Sequence, residues 1–524
     1  MEYDVIIVGG GIAGLTAAAY LSRAGKSVLL CEKEDKCGGL VNNFERDGFI
    51  YDGGIRALEN SGVLFPMLRQ LGISIDFLPN RISVGIEDQV IHIDSDKSVE
   101  VYKSLLKNFY PESVAEIDQI FIQIKQIMKY MEVQYGIDNP MFLDPKKDRE
   151  YFMKEIFPWM FKYAVTAPRI AKLNTPVEEF LRRYTSNQSL IDIIAQHFFK
   201  ETPAFFALSY LKLYLDYHYP LGGTGTLVKK LLELINAHHG EIRTSTEIVA
   251  LDFDQRCVKD ASGMVHHYRR LIWAADLLTL YRLCDPAQLL EGNPGQAIAE
   301  KKAQLADKTG NDSVYTMFLG VNLDKSYFAE RCSAHFFYTP DRRGQSAAGP
   351  IPLGQERAAV EKWLDAFLEL TTYEISIPAL RDSSMAPADS TGLIISVLFD
   401  YRLTKQIEEQ GWYEVFKTRC EQRILRILAE SVFPGIDQVV RHVFSSTPVT
   451  LAKLTGNHDG AITGWAFTNR PVPAESRIPK IMNAVKTPIP GVYQAGQWTY
   501  SPAGLPISLL TGKIAADKVI KDLK

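Results

Sequence analysis

The chain has 524 residues, 46% hydrophobic and 23% charged, with a formal net charge of −4. That length accommodates two or three domains around a large core, and the mildly acidic balance excludes a basic field for nucleic acid. Six scattered cysteines (Cys31, Cys37, Cys257, Cys284, Cys332, Cys420) without a C-x-x-C spacing exclude a disulfide framework or zinc site.

In chain order, Tyr3–Val8 predicts a strand that runs into Gly9-Gly10-Gly11-Ile12-Ala13-Gly14 and an Ala/Leu-rich helix. This is a G-x-G-x-x-G turn with a strand before it, a helix after it and an acid, Glu32, closing the next strand Ser27–Cys31. Gly9 permits the tight turn, Gly11 lets the backbone approach a pyrophosphate, and Gly14 lets the helix lie close on the sheet. The helix N-terminus then offers free N–H groups to the phosphates, and Glu32 is placed to accept from an adenosine ribose hydroxyl. The expectation is a bound dinucleotide.

Gly38-Gly39 and Asp52-Gly53-Gly54 follow closely. Ile73–Ile86 and Val90–Ile93 predict short alternating strands. Residues 97–217 read as helical and rich in aromatics, either the roof of a buried cavity or a surface that dips into a membrane. Tyr219-Pro220-Leu221-Gly222-Gly223-Thr224-Gly225 breaks the chain and opens an amphipathic helix through Leu227, Val228, Leu231, Leu232 and Ile235. Strands are expected at Glu247–Leu251, Leu271–Asp276, Ser313–Val321 and Leu393–Phe399, and a helix at Trp412–Ala429. Gly344–Gly354 reads as a surface loop. His238-His239 and His266-His267 are adjacent pairs whose side chains diverge, ordinary solvated histidines rather than a shared metal site. Near the end, Gly491–Gln497 predicts a strand and turn, and Pro502-Ala503-Gly504-Leu505-Pro506 starts a last helix in which Pro506 suits the first turn. No run of 18 apolar residues exists to span a membrane. A chain opening directly on a strand leaves no room for a signal peptide, so a cytoplasmic location is expected, with a peripheral membrane surface as a candidate contact.

The glycine turn, the acid Glu32, the Gly38-Gly39 pair, the Pro220 turn and the glycine turn before the last helix together resemble the FAD-binding superfamily of amine oxidases, phytoene desaturases, carotenoid isomerases and retinol saturases. The resemblance implies an α/β fold: a Rossmann-like FAD-binding domain from residues 1–78, 218–283 and 471–524, and a discontinuous α+β substrate domain from 79–217 and 284–470. It implies FAD held first by Gly9, Gly11, Ile12, Ala13, Gly14, Glu32 and Lys33, then by Gly38, Gly39 and Leu40. Ile248 matches the position whose backbone meets the adenine. Gly496, Gln497, Leu505 and Pro506 match the last visit, where Gln497 stands in place of the family's acid and a neutral partner replaces a charged one at the ribityl chain.

Within the superfamily, amine oxidases carry an Arg after the Gly-Gly pair and an aromatic in the last glycine turn. Here those positions are Leu40 and Leu505. The whole chain is more similar to the phytoene desaturase, carotenoid isomerase and retinol saturase branch, including the segment Gly456–Trp465 before the last strand. This implies an FAD-dependent oxidoreductase acting on carbon–carbon bonds of a long apolar isoprenoid, carotenoid or retinoid-like substrate by desaturation, saturation or isomerisation. A flavin amine oxidase and a non-catalytic binder of lipid or prenylated protein remain the alternatives. The chemistry is expected at the flavin, with Arg56 and Trp498 as the candidate catalytic side chains. Arg56 reads either as an anchor for a polar head or phosphate or as a surface salt bridge. Trp498, with Trp465 and Tyr500, reads as lining the flavin side of the cavity or as core.

Overall fold

The computed structural model describes residues 2–284 and 293–524, so positions 285–292 of the expected second substrate passage lie outside the described residues. The strand Glu2–Val8 buries Val5, Ile6 and Ile7 completely. It is apolar on both faces because it is central, with Val28–Cys31 and Val265–Trp273 pairing parallel on either side. Glu241–Arg243 extends one edge. Beyond Val265–Trp273, Cys257–Asp260 and Ile248–Asp252 add antiparallel, and Val492–Gln494 pairs parallel with Leu271–Trp273. Three distant stretches of chain therefore build one sheet, seven-stranded among the described residues.

Helix Ile12–Arg23 covers this sheet with a run of small side chains, Ala17, Ala18 and Ala19 being fully buried. Small residues let it lie close to the last helix, Leu505–Asp522. A Cβ built on Gly512 of that helix would stand 2.4 Å from the Ala13 carbonyl oxygen. The amphipathic helix Thr226–Ala237 packs on its other side through Leu227, Leu231 and Ile235.

A second sheet, also seven-stranded among the described residues, runs Val440–Ser446, Ser313–Val321, Thr391–Phe399, Tyr373–Ser376, His335–Thr339, Ile82–Ile86 and Gln89–Ile93. Alternation divides its faces. One face (Tyr315, Met317, Ile375, Ile395, Phe336) is packed against the helices Arg357–Leu370 and Tyr413–Glu430. The other holds a row of directly opposed residues across all seven strands: Ser446, Thr316, Ser396, Glu374, Phe337, Val84 and Ile91. This row is polar at one end and apolar at the other. The helical part stands over the apolar end. Its longest helix, Val114–Tyr135, buries Ile117, Ile120, Ile124, Ile127 and Met131, spaced three and four apart as an amphipathic helix requires.

Two readings are corrected locally, and the Gly344–Gly354 loop lies at the surface as expected. Ile73–Asp76 forms no strand; pairing starts at Phe77–Pro79, which joins Tyr217–Pro220 and Leu58–Glu59 in a small sheet. The Gly344–Gly354 segment is exposed but anchored, since Ser346 donates its N–H and hydroxyl to Asp192 at 2.7 and 2.8 Å. His266 is no solvated histidine: it is 4% exposed and bonded to Asp260 at 2.9 Å. Burial alone would raise the Asp260 carboxyl, but hydrogen bonds from Ser262, His266 and two backbone N–H groups bring it down to about 2. The opposed strands Cys257–Asp260 and Val265–Trp273 bring these residues together, a pairing that adjacency in sequence does not announce.

Candidate functional site

Gly9 ends the first strand at φ +104°, a conformation that favours glycine, and a Cβ there would meet the Ala274 carbonyl at 2.8 Å. A Cβ on Gly14 would stand 2.0 Å from the Gly9 oxygen. Gly11 differs: its φ of −68° suits any residue, and a Cβ there meets no protein atom within 4 Å. Gly9 and Gly14 are thus glycines for the fold's sake, whereas Gly11 borders open space at the N-terminus of the first helix. Gly38 donates to the Gly10 carbonyl at 2.8 Å, and a Cβ on Gly39 would stand 3.5 Å from the Gly11 Cα. The expected pair therefore lies beside the turn, and the open space next to Gly11 at a helix N-terminus is a cradle that fits a pyrophosphate.

Glu32 stands at the mouth of this cradle. Its carboxylate accepts from the N–H groups of Gly10 (2.6 Å) and Glu34 (2.9 Å) and keeps lone pairs for further donors. The Lys33 side chain points away, to the Lys453 carbonyl. The Leu40 carbonyl accepts from Ile55, which fixes the segment after Gly53-Gly54 against the cradle. Ile12 and Ala13 are buried in the helix's first turn, and Ile248 is buried on its strand, 6% exposed. From the third visit, a Cβ on Gly496 would touch Ala13 at 3.4 Å, and Gln497 is half-buried beside it. The last helix begins at Leu505, with Pro506 in its first turn.

The aspartate of Asp52-Gly53-Gly54 has a structural task that sequence reasoning missed. It is fully buried and accepts four hydrogen bonds, from Asn43 Nδ2 (2.8 Å), Tyr219 Oη, Thr224 N and Thr224 Oγ1 (2.9 Å each). It staples the Pro220 turn onto the first glycine-rich segments. The signal was present as two turn motifs; the contact between them was not.

Between the helical part and the second sheet lies an apolar cavity of about 40 Å³, bounded by Ile124, Ile193, Leu208, Tyr214, Phe337 and Val84 among others. His197 also lines it, and burial pushes its imidazole down to about 4, so it is neutral there. Aromatic rings carry the wall onward. Tyr214 stacks on Phe337 (5.0 Å between centroids), Phe337 on His335 (4.9 Å), and His335 lies parallel to Tyr217 (6.0 Å). Tyr217 and Tyr210 share a hydroxyl hydrogen bond of 2.7 Å. Opposite Tyr217 on the neighbouring strand is Glu59, which burial raises to about 7 despite its bond from Ser61.

Past His335 the wall becomes charged. His335 bonds Glu374 at 2.9 Å, and Glu374 keeps 36% of its side-chain surface accessible although it lies deep in the protein, so it faces an internal chamber. Arg56 reaches the same place. It is 5% exposed and donates to the carbonyls of Asp52 and Gly54 and to the Ser396 hydroxyl, so the surface salt-bridge reading is overturned. Trp498 is 3% exposed and packs edge-on against Trp465, whose indole N–H donates to the Trp498 carbonyl. Both lie in the apolar core on the far side of the first sheet, with Val8, Leu29 and Trp273, and neither borders the cavity.

Residues 7–71 match the model of the NAD(P)-binding Rossmann-like domain. Over 99% of both chains, the protein is similar to the 4,4'-diapophytoene desaturase (4,4'-diaponeurosporene-forming) of Staphylococcus aureus strain COL, at 23% identity. The expected resemblance to the desaturase branch therefore extends along the whole chain. Among solved structures, an oxidoreductase from Methanosarcina mazei aligns with TM-score 0.61 and 15% identity, over 99% of this chain and all of that one. Wild-type putrescine oxidase bound to putrescine aligns with TM-score 0.59 and 13% identity over 99% of each. The cyclohexylamine oxidase of Brevibacterium oxydans gives TM-score 0.59 and 13% identity over the full length of both. These structures share the α/β fold, with its Rossmann-like domain.

Proposed function

We propose that this chain, a full-length relative of the diapophytoene desaturases, is an FAD-dependent oxidoreductase acting on carbon–carbon bonds of a long apolar isoprenoid-like substrate. The observation that carries the reading is the apolar, aromatic-walled cavity between the helical part and the second sheet, from which stacked rings lead through Phe337 to His335. A bound flavin supplies two-electron hydride chemistry beside an alkene. This chain's residues supply the rest. Gly11, with Gly38 and Gly39 beside it, borders the pyrophosphate end, Gly9 and Gly14 shape the turn that presents it, and Glu32 takes the ribose. Tyr214, Phe337 and the aliphatic wall exclude water and hold the chain extended, and their π-faces tolerate positive charge on an allylic carbon. Among the described residues no charged side chain lines the cavity, and its imidazole, His197, is neutral.

Supporting the membrane contact, the helix Phe157–Ala171 and the turn before it expose Met153, Phe157, Met160, Phe161 (76% exposed) and Val165. Lys162, Arg169 and Lys172 flank them and no acid occurs between Ile156 and Val177, whereas Lys154 is paired with Glu150. This is an apolar face with a basic rim, suited to an anionic bilayer from which an apolar substrate is drawn.

The test is anaerobic incubation of the oxidised and of the reduced holoprotein with isoprenoid and carotenoid polyenes, following the flavin spectrum and the product mass. A two-hydrogen change, or a change of geometry at constant mass, supports the reading. Bleaching by putrescine or a simple alkylamine, with no response to any polyene, would replace it by amine oxidation.

A further inference from the structure

The chamber where the cavity wall becomes charged holds two arginines. Arg56 donates to two carbonyls and the Ser396 hydroxyl. Arg381 donates to the Asn80 amide oxygen (2.6 Å), the Ser376 hydroxyl (3.0 Å) and the Ala334 carbonyl (3.1 Å), and lies over the Tyr219 ring at 4.5 Å. Every one of these acceptors is neutral, and among the described residues no carboxylate forms an ion pair with either guanidinium. The carboxylates nearby are committed elsewhere: Asp52 to its four donors, Glu374 to His335. The Arg56 Nε is buried with no partner at all. Glu374 and Asp52 act on these guanidinia only through space; burial of a guanidinium without a directly bonded carboxylate is costly, and this fork cannot shed its proton to escape the cost.

The second sheet shows how such a site relates to the cavity. Its row of opposed residues is polar from Ser446 through Thr316 and Ser396 to Glu374, beneath Arg56, and apolar from Phe337 through Val84 to Ile91, where Phe337 and Val84 line the cavity. In the polar half Thr316 and Ser396 are buried and bonded to each other and to Arg56, which leaves Glu374 as the accessible group beside the two arginines.

We propose that the substrate is an apolar chain ending in a carboxylate, which Arg56 and Arg381 bind while the chain lies along Tyr217, Phe337 and Tyr214 into the cavity. A carboxylate matches the guanidinium fork in plane and spacing. The assignment deepens the isoprenoid reading above and rests on it for the identity of the chain.

The experiment is calorimetric titration of the holoprotein with geranylgeranoic acid, its methyl ester and geranylgeranyl diphosphate, in the wild type and in Arg381→Gln and Arg56→Gln. The acid is expected to bind at least tenfold more tightly than the ester in the wild type, with the preference lost in either variant and the ester's affinity retained. Equal binding of acid and ester by the wild type would overturn the proposal, whatever the fate of the variants. Tighter binding of the diphosphate than of the acid would overturn the carboxylate assignment. Because binding is read without turnover, an acid preference in holoprotein that changes neither the acid nor any polyene would refute the redox reading and leave this one standing. Flavin-loaded protein without the preference would do the reverse.

Discussion

Substituting alanine at two glycines of the same turn separates cofactor binding from folding. At Gly14 the new methyl would stand 2.0 Å from the Gly9 carbonyl oxygen, a backbone atom with no room to yield. Overpacking of that kind costs about 1–3 kcal/mol, and Gly14→Ala should lower the melting temperature of the apoprotein. At Gly11 the methyl meets nothing within 4 Å, and φ −68°, ψ 176° is open to any residue. Alanine is a weaker helix N-cap than glycine, but the stiffer unfolded chain returns about 0.4–1 kcal/mol, so Gly11→Ala apoprotein should melt near the wild type. The methyl instead occupies the space through which a backbone N–H reaches a phosphate oxygen. Losing one charge-assisted hydrogen bond costs about 1.5–3 kcal/mol, a weakening of about tenfold to a hundredfold in FAD affinity. Apoprotein titrated with FAD, followed by flavin fluorescence quenching, and a thermal scan of the same samples measure both effects. Wild-type FAD affinity in Gly11→Ala would refute the cradle; a large loss of apoprotein stability would refute the claim that this glycine faces open space.

Asp52→Ala should destabilise the protein by about 3–5 kcal/mol, because it orphans four buried donors at once; a loss under 1 kcal/mol in denaturant unfolding would show that the staple does not matter. Glu59 is raised by burial from 4.5 to about 7, so its contribution is full below pH 4.5 and is lost as the pH rises toward 7. Glu59→Gln should therefore stabilise the protein by about 3 kcal/mol at pH 8 and little at pH 4, as thermal melts across that range would read; equal effects at both ends would show the carboxyl to be ionised throughout. Replacing both Phe157 and Phe161 by Asp should reduce sedimentation with phosphatidylglycerol vesicles at least tenfold, and unchanged sedimentation would remove this face from membrane contact.

The dinucleotide turn was legible because each of its constraints is local: a strand, three glycines at fixed offsets, a helix and an acid on the next strand. Most of the long strands and the terminal helix followed from periodicity for the same reason. The chamber was not legible. Arg56 lies 325 residues from Arg381 and 318 from Glu374, and only the pairing of the second sheet brings Ser396, Glu374 and Phe337 into one row. Asp52 appeared as part of a glycine motif, although its partners Tyr219 and Thr224 belong to another turn. The His266–Asp260 pair depended on an antiparallel hairpin, and adjacency with His267 suggested solvent instead. Trp498 looked like a cavity residue by its nearness to Gln497, but the chain turns after Gly496 and buries the indole against Trp465.

The central claim is that three separated stretches of chain build a site for FAD. The direct measurement is the absorption spectrum of the purified protein, followed by denaturation and chromatographic identification of the released chromophore. A yellow protein that releases about one FAD per chain is the expected result. A colourless protein that binds no added FAD, or one that releases only FMN or a nicotinamide dinucleotide, would contradict it.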